Sequence, residues 1–323
     1  MVRVLMLSKW HVHADEYANF IQDQPDAKVT CIWDDDIARG EAWATALNAA
    51  FESDLQKALT RADVDAVIVD TPTTQHREVM VAAALAGKHI FTEKTLATIM
   101  ADALAIADAV KKAGVKFGIS YPHLTNPLYT LCKQLIENGE LGQIHYLRFR
   151  NAHNGALANW LPSYWYDMDA TGGGAMMDLG CHPMYVAPYL LGKPARVASM
   201  YNNNCAPAGD DNAVSVVEFE NKAIAVLETS FVSPFDAGCF ELLGTEGAVI
   251  SVAGEVKIRT KGDNKNWRIP DTMPEKLPAP LRMWLDGIIK DTPILFNMEM
   301  ALSLVEMLEN AYKSDATQQI VKI

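Results

Sequence analysis

The feature that most constrains this chain is the rhythm of its first ~120 residues, in which short, continuously apolar runs alternate with segments of helical period. Val2–Leu7, Lys28–Trp33, Ala66–Val69, His89–Thr92 and Lys116–Ile119 read as strands. Ala14–Gln22, Ile37–Leu47, Asp54–Ala62, Arg77–Ala86 and Thr98–Ala113 read as the helices between them, with Gly87 and Gly114 as stop signals. A strand apolar along its whole length must be covered on both faces, and interleaved helices supply that cover. The expectation is an α/β protein whose N-terminal part is a doubly wound parallel sheet. Ligands of such sheets bind beyond the carboxyl ends of the strands. Those ends are Ser8–His13, Asp34, Asp70–His76, Glu93-Lys94 and Ser120-Tyr121.

The rhythm changes near Ser120–Pro127, where two prolines interrupt it. A helix is expected over Leu128–Asn138, then a stretch rich in Trp, Tyr and Asn from Asn151 to Met168, then a helix from about Ala175 to Leu191 behind Gly172–Gly174. Ala213–Glu220, Ala223–Val232, Cys239–Leu243, Ala248–Val252 and Glu255–Arg259 read as strands with short turns, before a last helix over about Met298–Lys313. Successive strands joined by short turns pair antiparallel. The division expected is a dinucleotide-binding domain over 1–121 and an α/β domain over 122–323. A length of 323 residues suits two domains. The 28 basic and 40 acidic residues leave a net charge of −12, which argues against nucleic acid or an anionic membrane as the main partner. No apolar run is long enough to span a bilayer, and Met1–Trp10 reads as a strand rather than a secretion signal. Cys31, Cys132, Cys181, Cys205 and Cys239 are scattered without a CxxC pair, which suits reduced thiols in a cytoplasmic protein.

Several polar residues fall where chemistry is expected. Asp34 closes the second strand, where a carboxylate accepts ribose hydroxyls; with Asp35 and Asp36 it repels a 2′-phosphate and favours NAD over NADP. The plainer reading is a solvated turn that complements a helix dipole. Lys94 follows a buried strand and is expected in the crevice, polarising an oxygen, unless it merely snorkels to water. Asp178 and His182 stand four residues apart, on one helix face, where a carboxylate raises imidazole basicity for work on an alcohol. Alone, such a pair is more often a surface or capping contact. Trp160, Tyr164, Trp165 and Tyr166 suit stacking on a sugar face or packing at the edge of a core. His11 and His13 have metal-ligand spacing, but no third ligand is implied by spacing, and no metal is expected.

Three segments in this order, 66–76 (AVIVDTPTTQH), 83–94 (AALAGKHIFTEK) and 172–183 (GGGAMMDLGCHP), resemble the Gfo/Idh/MocA family of nicotinamide-dependent sugar and cyclitol oxidoreductases, and the resemblance covers nearly the whole chain. It implies a Rossmann domain followed by an α/β domain for substrate binding and oligomerisation, with a large, mainly antiparallel open sheet whose outer face makes homodimers or homotetramers. Lys94, Asp178 and His182 match the family's catalytic triad: the His takes the hydroxyl proton as hydride leaves carbon, the Lys polarises the oxygen, and the Asp assists. Thr71, Pro72, His76 and Glu93 match positions lining the cofactor. Ser8, Lys9, Trp10, His11 and Asp34 complete the expected cofactor contacts, and Tyr121, Trp160 and Tyr164 are the candidate substrate contacts. The small-molecule partner implied is a sugar, inositol or related polyol.

The chain departs from that pattern in three places. Thr95 stands where the family usually has Pro, and Pro122 lies where an Arg is usual. The third departure is the first loop, Ser8-Lys9-Trp10-His11-Val12-His13, which holds none of the three glycines of the dinucleotide fingerprint. Two outcomes stay open. Side-chain donors from Ser8, Lys9, His11 and His13 and a helix N-terminus hold NAD in a shifted pose, with Trp10 over a ring. Alternatively the chain is a non-redox member, a sugar-binding regulator or a lyase or hydrolase with transient oxidation.

Overall fold

The computed structural model describes residues 1–235, 238–263 and 266–323. Residues 1–120 and 278–305 form one unit, and residues 121–277 and 306–323 form a second.

The first unit runs β1 (Val2–Leu7), α1 (Ala14–Gln22), β2 (Ala27–Trp33), α2 (Ile37–Leu47), β3 (Ala50–Phe51), α3 (Leu55–Thr60), β4 (Ala66–Val69), α4 (His76–Leu85), β5 (His89–Thr92), α5 (Met100–Ala113) and β6 (Phe117–Ile119). Its six strands are all parallel, in the order β3-β2-β1-β4-β5-β6. This is the doubly wound sheet that the sequence rhythm predicts, with β3 an addition too short to carry a pattern. In α1 the buried positions are Ala14, Tyr17, Ala18 and Ile21, the spacing of one helical stripe. Val4, Met6, Ile68 and Phe91 meet that stripe from the sheet.

The remainder of the chain runs α6 (Pro127–Glu137), β7 (Ile144–Ala152), α7 (Met168–Thr171), α8 (Ala175–Asp178), α9 (Cys181–Leu191), β8 (Pro194–Asn202), β9 (Asn212–Phe219), β10 (Ile224–Ser230), β11 (Cys239–Gly244), β12 (Ala248–Val252), β13 (Glu255–Arg259), α10 (Pro280–Lys290), α11 (Met298–Thr317) and β14 (Val321–Lys322). Eight strands form the second sheet, β13-β12-β11-β7-β10-β9-β8-β14, antiparallel except for the β7–β10 pair.

Three of the elements that differ from expectation do so for identifiable physical reasons. β7 carries Arg148 and Arg150 among its apolar residues; Arg148 reaches Glu228 on neighbouring β10 at 2.6 Å, so a charged face disguises a central strand. α10 follows a proline-rich stretch and returns to the first unit, where Leu281, Trp284 and Leu285 enter the core beside Phe91. Gly118 on β6 admits Trp284, since a Cβ there would lie 3.0 Å from the Trp284 side chain. Burial of each such side chain contributes roughly 2 kcal/mol. Finally, the helix expected over 175–191 is two helices, broken at Leu179-Gly180.

Candidate functional site

The turn after β1 keeps its shape without glycine. Ser8 has φ 73°, the left-handed conformation that glycine adopts most easily. Its Oγ accepts from the Trp10 N–H at 3.1 Å and from Arg39 Nη2 at 3.1 Å. A short side chain that bonds locally is what makes this conformation tolerable for a residue other than glycine.

Asp34 ends β2, as expected, and is buried, but its carboxylate is fully engaged. It accepts from the Lys9 N–H at 2.8 Å, the Asp36 N–H at 3.0 Å, Arg39 Nε at 2.9 Å and Arg39 Nη2 at 2.5 Å. Burial pushes its pKa up; Arg39 and the backbone donors outweigh burial and hold it below the ordinary value. Arg39 also binds Asp35 at 2.8 Å. Lys9 turns along α1, its Nζ 2.9 Å from Asp15 and 5.6 Å above the Trp43 ring.

The second half of the loop meets the end of β5. The His11 N–H donates to the Asp70 carbonyl at 3.0 Å, and His13 Nδ1 lies 3.0 Å from Glu93 Oε1. Tyr17 donates to the same oxygen and its hydroxyl lies 2.7 Å from Ser120 Oγ, while Glu93 Oε2 accepts the Lys94 N–H at 2.9 Å. Burial raises the Glu93 pKa, but His11, His13 and Lys94 together hold it well below the usual carboxylate range. Lys94 is buried, and the Lys94–Thr95 peptide is cis. His76, matched to the cofactor-lining set, holds the loop: Nε2 lies 3.2 Å from the Thr71 carbonyl and Nδ1 3.2 Å from the Leu96 carbonyl. Pro72 is buried beside it. At the end of β4, both Asp70 carboxylate oxygens and Thr71 Oγ1 are buried with no hydrogen-bond partner. Burial, with Glu93 nearby, pushes the Asp70 carboxyl well above its usual range.

In the second unit the glycine run makes room for backbone. A Cβ on Gly174 would lie 2.1 Å from the Asp210 carbonyl. Asp210 accepts from the N–H groups of Gly174 at 3.1 Å and Met176 at 2.7 Å and from the Tyr312 hydroxyl at 2.8 Å, fixing the start of α8. Asp178 ends α8 and His182 opens α9. His182 Nδ1 lies 2.7 Å from the Tyr185 hydroxyl, which accepts the His123 N–H at 3.2 Å; the His123 ring stacks on His182 at 4.2 Å and 15°. Asp178 acts electrostatically on His153: burial lowers the His153 pKa and Asp178 opposes that. His153 packs 4.6 Å from Trp160, which is 54% exposed and donates to Asn154 at 3.0 Å. Tyr164 is exposed and Trp165 buried. Tyr121, expected at substrate, is fully enclosed and stacks 4.1 Å from Tyr185, so it floors the His182 site instead. Arg39, Tyr17, Asp70, His123 and Tyr185 escaped sequence reasoning. Asp70 lay within a flagged strand end; the others carry no spacing signal.

Two family models match the chain: "Oxidoreductase family, NAD-binding Rossmann fold" over residues 11–121 and "GFO/IDH/MocA C-terminal domain" over residues 129–250. The scyllo-inositol 2-dehydrogenase (NAD(+)) of Bacillus subtilis is 30% identical over 240 residues, 72% of this chain and 68% of the relative. The chain belongs to the Gfo/Idh/MocA family. Its first unit is thus an NAD-binding Rossmann domain of an oxidoreductase family. Another relative, 2,7-anhydro-N-acetylneuraminate hydratase of Escherichia coli, is 28% identical over 80% of this chain and 71% of its own. Alignments with three curated relatives span 66%, 68% and 64% of those proteins. Levoglucosan dehydrogenase, solved with NADH and levoglucosan, shares the fold with a TM-score of 0.86 at 20% identity, covering 100% of this chain and 99% of that one. No helix among the described residues is long and apolar enough to cross a membrane.

Proposed function

We propose that this oxidoreductase transfers hydride between NAD and a secondary hydroxyl of a sugar, inositol or related polyol. The observation that carries the reading is the setting of His182, a buried imidazole oriented through Nδ1 by Tyr185 and clamped face to face by His123. In the tautomer that donates from Nδ1 to the Tyr185 hydroxyl, Nε2 carries the lone pair that takes the hydroxyl proton. Lys94 polarises the oxygen, and Asp178 supplies negative charge that favours the imidazolium. Trp160 and Tyr164 offer exposed ring surface for a sugar face.

The residues at the sheet end fit a dinucleotide. Ser8 preserves the tight turn, α1 begins without a side-chain cap, and Asp70 and Thr71 present buried polar atoms that no protein group satisfies. The protonated Asp70 carboxyl favoured by burial is a donor as well as an acceptor. Ser8, Trp10, Thr71 and Pro72 would hold the cofactor, which supplies the hydride acceptor. Asp34, Asp35 and Asp36 outnumber Arg39 and support NAD over NADP.

The outer face of the second sheet presents Met200, Val214, Val216 and Ile224 on adjacent strands, all exposed. That surface supports a homodimer or homotetramer, to be checked by light scattering. The scattered cysteines without a paired motif support a cytoplasmic location, a reducing compartment.

The deciding experiment pairs NAD binding with turnover. Millimolar NAD is expected to raise the Tm of the wild type, of Lys94→Ala and of His182→Ala, while turnover across a polyol panel is lost in both variants. Absence of any Tm shift with NAD or NADH sinks the redox reading, and survival of turnover in both variants sinks the assigned roles.

A further inference from the structure

His11 and His13 are two residues apart on a loop, a spacing that names only two ligands. The fold supplies a third from the far end of β5. One side-chain donor atom each from His11, His13 and Glu93 lie within 4.8 Å of one another, and the two imidazole centroids are 4.9 Å apart. We infer that His11, His13 and Glu93 form a binding site for one divalent transition-metal ion of the zinc class, inside the first unit.

The donor chemistry fits. Two imidazoles and a carboxylate suit borderline cations such as Zn2+, and three protein ligands leave a fourth position open. His11 and Glu93 are buried, whereas the His13 side chain is 42% exposed. His13 is therefore the ligand with room to adjust its rotamer toward metal–ligand distances of ~2.0–2.2 Å. The existing contacts within the set, His13 Nδ1 to Glu93 Oε1 at 3.0 Å and the long His13 N–H to His11 Nδ1 at 3.3 Å, are of the kind that an incoming ion replaces.

The outer shell is also in place. Metal-bound carboxylates are themselves hydrogen-bonded, which fixes their aim. Glu93 is held by the Tyr17 hydroxyl on Oε1 and by the Lys94 N–H on Oε2, and Tyr17 is braced by Ser120. The His11 backbone is pinned to the Asp70 carbonyl.

An independent observation points to a cation. Asp70 is fully buried, its two carboxylate oxygens have no hydrogen-bond partner, and it lies in electrostatic reach of Glu93 and Tyr17. A divalent ion held at Glu93 adds positive charge beside these two buried carboxyls.

The test needs no nucleotide and no turnover, so it stands apart from the redox reading. Chelator-treated full-length protein is titrated with Zn2+ by calorimetry and with Co2+ by visible absorption. The expected result is one ion per chain, the intense d–d bands of low-coordinate Co2+, and a Zn2+-dependent rise in Tm. His13→Ala and Glu93→Gln should each weaken Zn2+ binding at least ~tenfold. His145→Ala, an exposed histidine on β7, should leave it unchanged. Circular dichroism checks that each variant is folded; His13→Ala, at a half-exposed position, decides the matter should Glu93→Gln fail to fold. Undiminished Zn2+ affinity in His13→Ala, the spectrum of the hexaaqua Co2+ ion, or no saturable binding below millimolar Zn2+ would each overturn the site.

Discussion

Ser8 allows the glycine-free turn to be weighed energetically. Its Oγ accepts from the Trp10 N–H and from the Arg39 guanidinium, both at 3.1 Å, and lies 3.4 Å from Asp34 Oδ1. Ser8→Ala loses these contacts but keeps the left-handed backbone. Counting one neutral and one charge-assisted hydrogen bond, it should cost about 2–3 kcal/mol. Ser8→Gly loses the same contacts but regains the ~1–2 kcal/mol that a Cβ costs at φ 73°. Against this, glycine gives up about 0.4–1 kcal/mol more entropy from the unfolded chain. The balance leaves Ser8→Gly more stable than Ser8→Ala by about 0.5–1 kcal/mol, with both below wild type. Urea unfolding of the three proteins, followed by the fluorescence of Trp33, Trp43 and Trp284 in the first unit, reads the order directly. An alanine variant as stable as the glycine variant would refute the left-handed turn.

Arg39→Gln leaves the buried Asp34 carboxylate with the Lys9 and Asp36 N–H groups and the distant Ser8 hydroxyl, so stability should fall by about 2–3 kcal/mol. The Kd ratio of NADP to NAD should rise, because a 2′-phosphate loses its nearest guanidinium. Gly174→Ala drives a Cβ to 2.1 Å from the Asp210 carbonyl; a cost of ~3 kcal/mol or more is expected in denaturant melts, with loss of turnover as the start of α8 shifts. Tyr185→Phe removes the partner of His182 Nδ1 at nearly constant volume, so kcat should fall about tenfold or more while NAD affinity stays the same. Arg3 beside Asp65 holds that carboxyl at about 2, against an ordinary 3.8. A depressed folded value means stabilisation that is present above pH ~4 and lost as pH falls toward ~2. The stability difference between wild type and Arg3→Gln should vanish over that window, and half-exposure of the pair (39% and 35%) keeps it small and salt-sensitive.

How much of the fold is legible depends on whether a segment's environment is set locally. Val2–Leu7 and Ala66–Val69 are buried on both faces, so their apolarity alone identifies them, and α1 is bounded correctly because its stripe faces one core. β7 fails that test: it is a central strand, but Arg148 is satisfied by Glu228, 80 positions away. α10 fails for a related reason. Its Trp284 is explained by the space above Gly118, which no local pattern encodes.

The site divides along the same line. Motifs single out Lys94, Asp178 and His182, but nothing local signals what orients His182, because Tyr185 and His123 look like ordinary core aromatics until the rings are stacked. The first loop goes further. A glycine fingerprint states a solution to three steric demands, and its absence does not show that the demands are unmet. The turn is met by Ser8 in a left-handed conformation, bonded to Arg39. Close packing of the first helix is met by Ala14 and Ala18, both fully buried. The third demand, close approach of backbone to a phosphate, has no counterpart in the loop. In its place stand two histidines aimed at a buried glutamate, and a loop that trades backbone donors for imidazoles has exchanged neutral dipoles for groups that bind protons and metal ions. Zn2+ titration with and without NAD therefore decides more than occupancy. Mutual weakening places the ion in the phosphate path, whereas mutual strengthening makes the ion the loop's substitute for the missing glycines, since linkage requires the two effects to be equal.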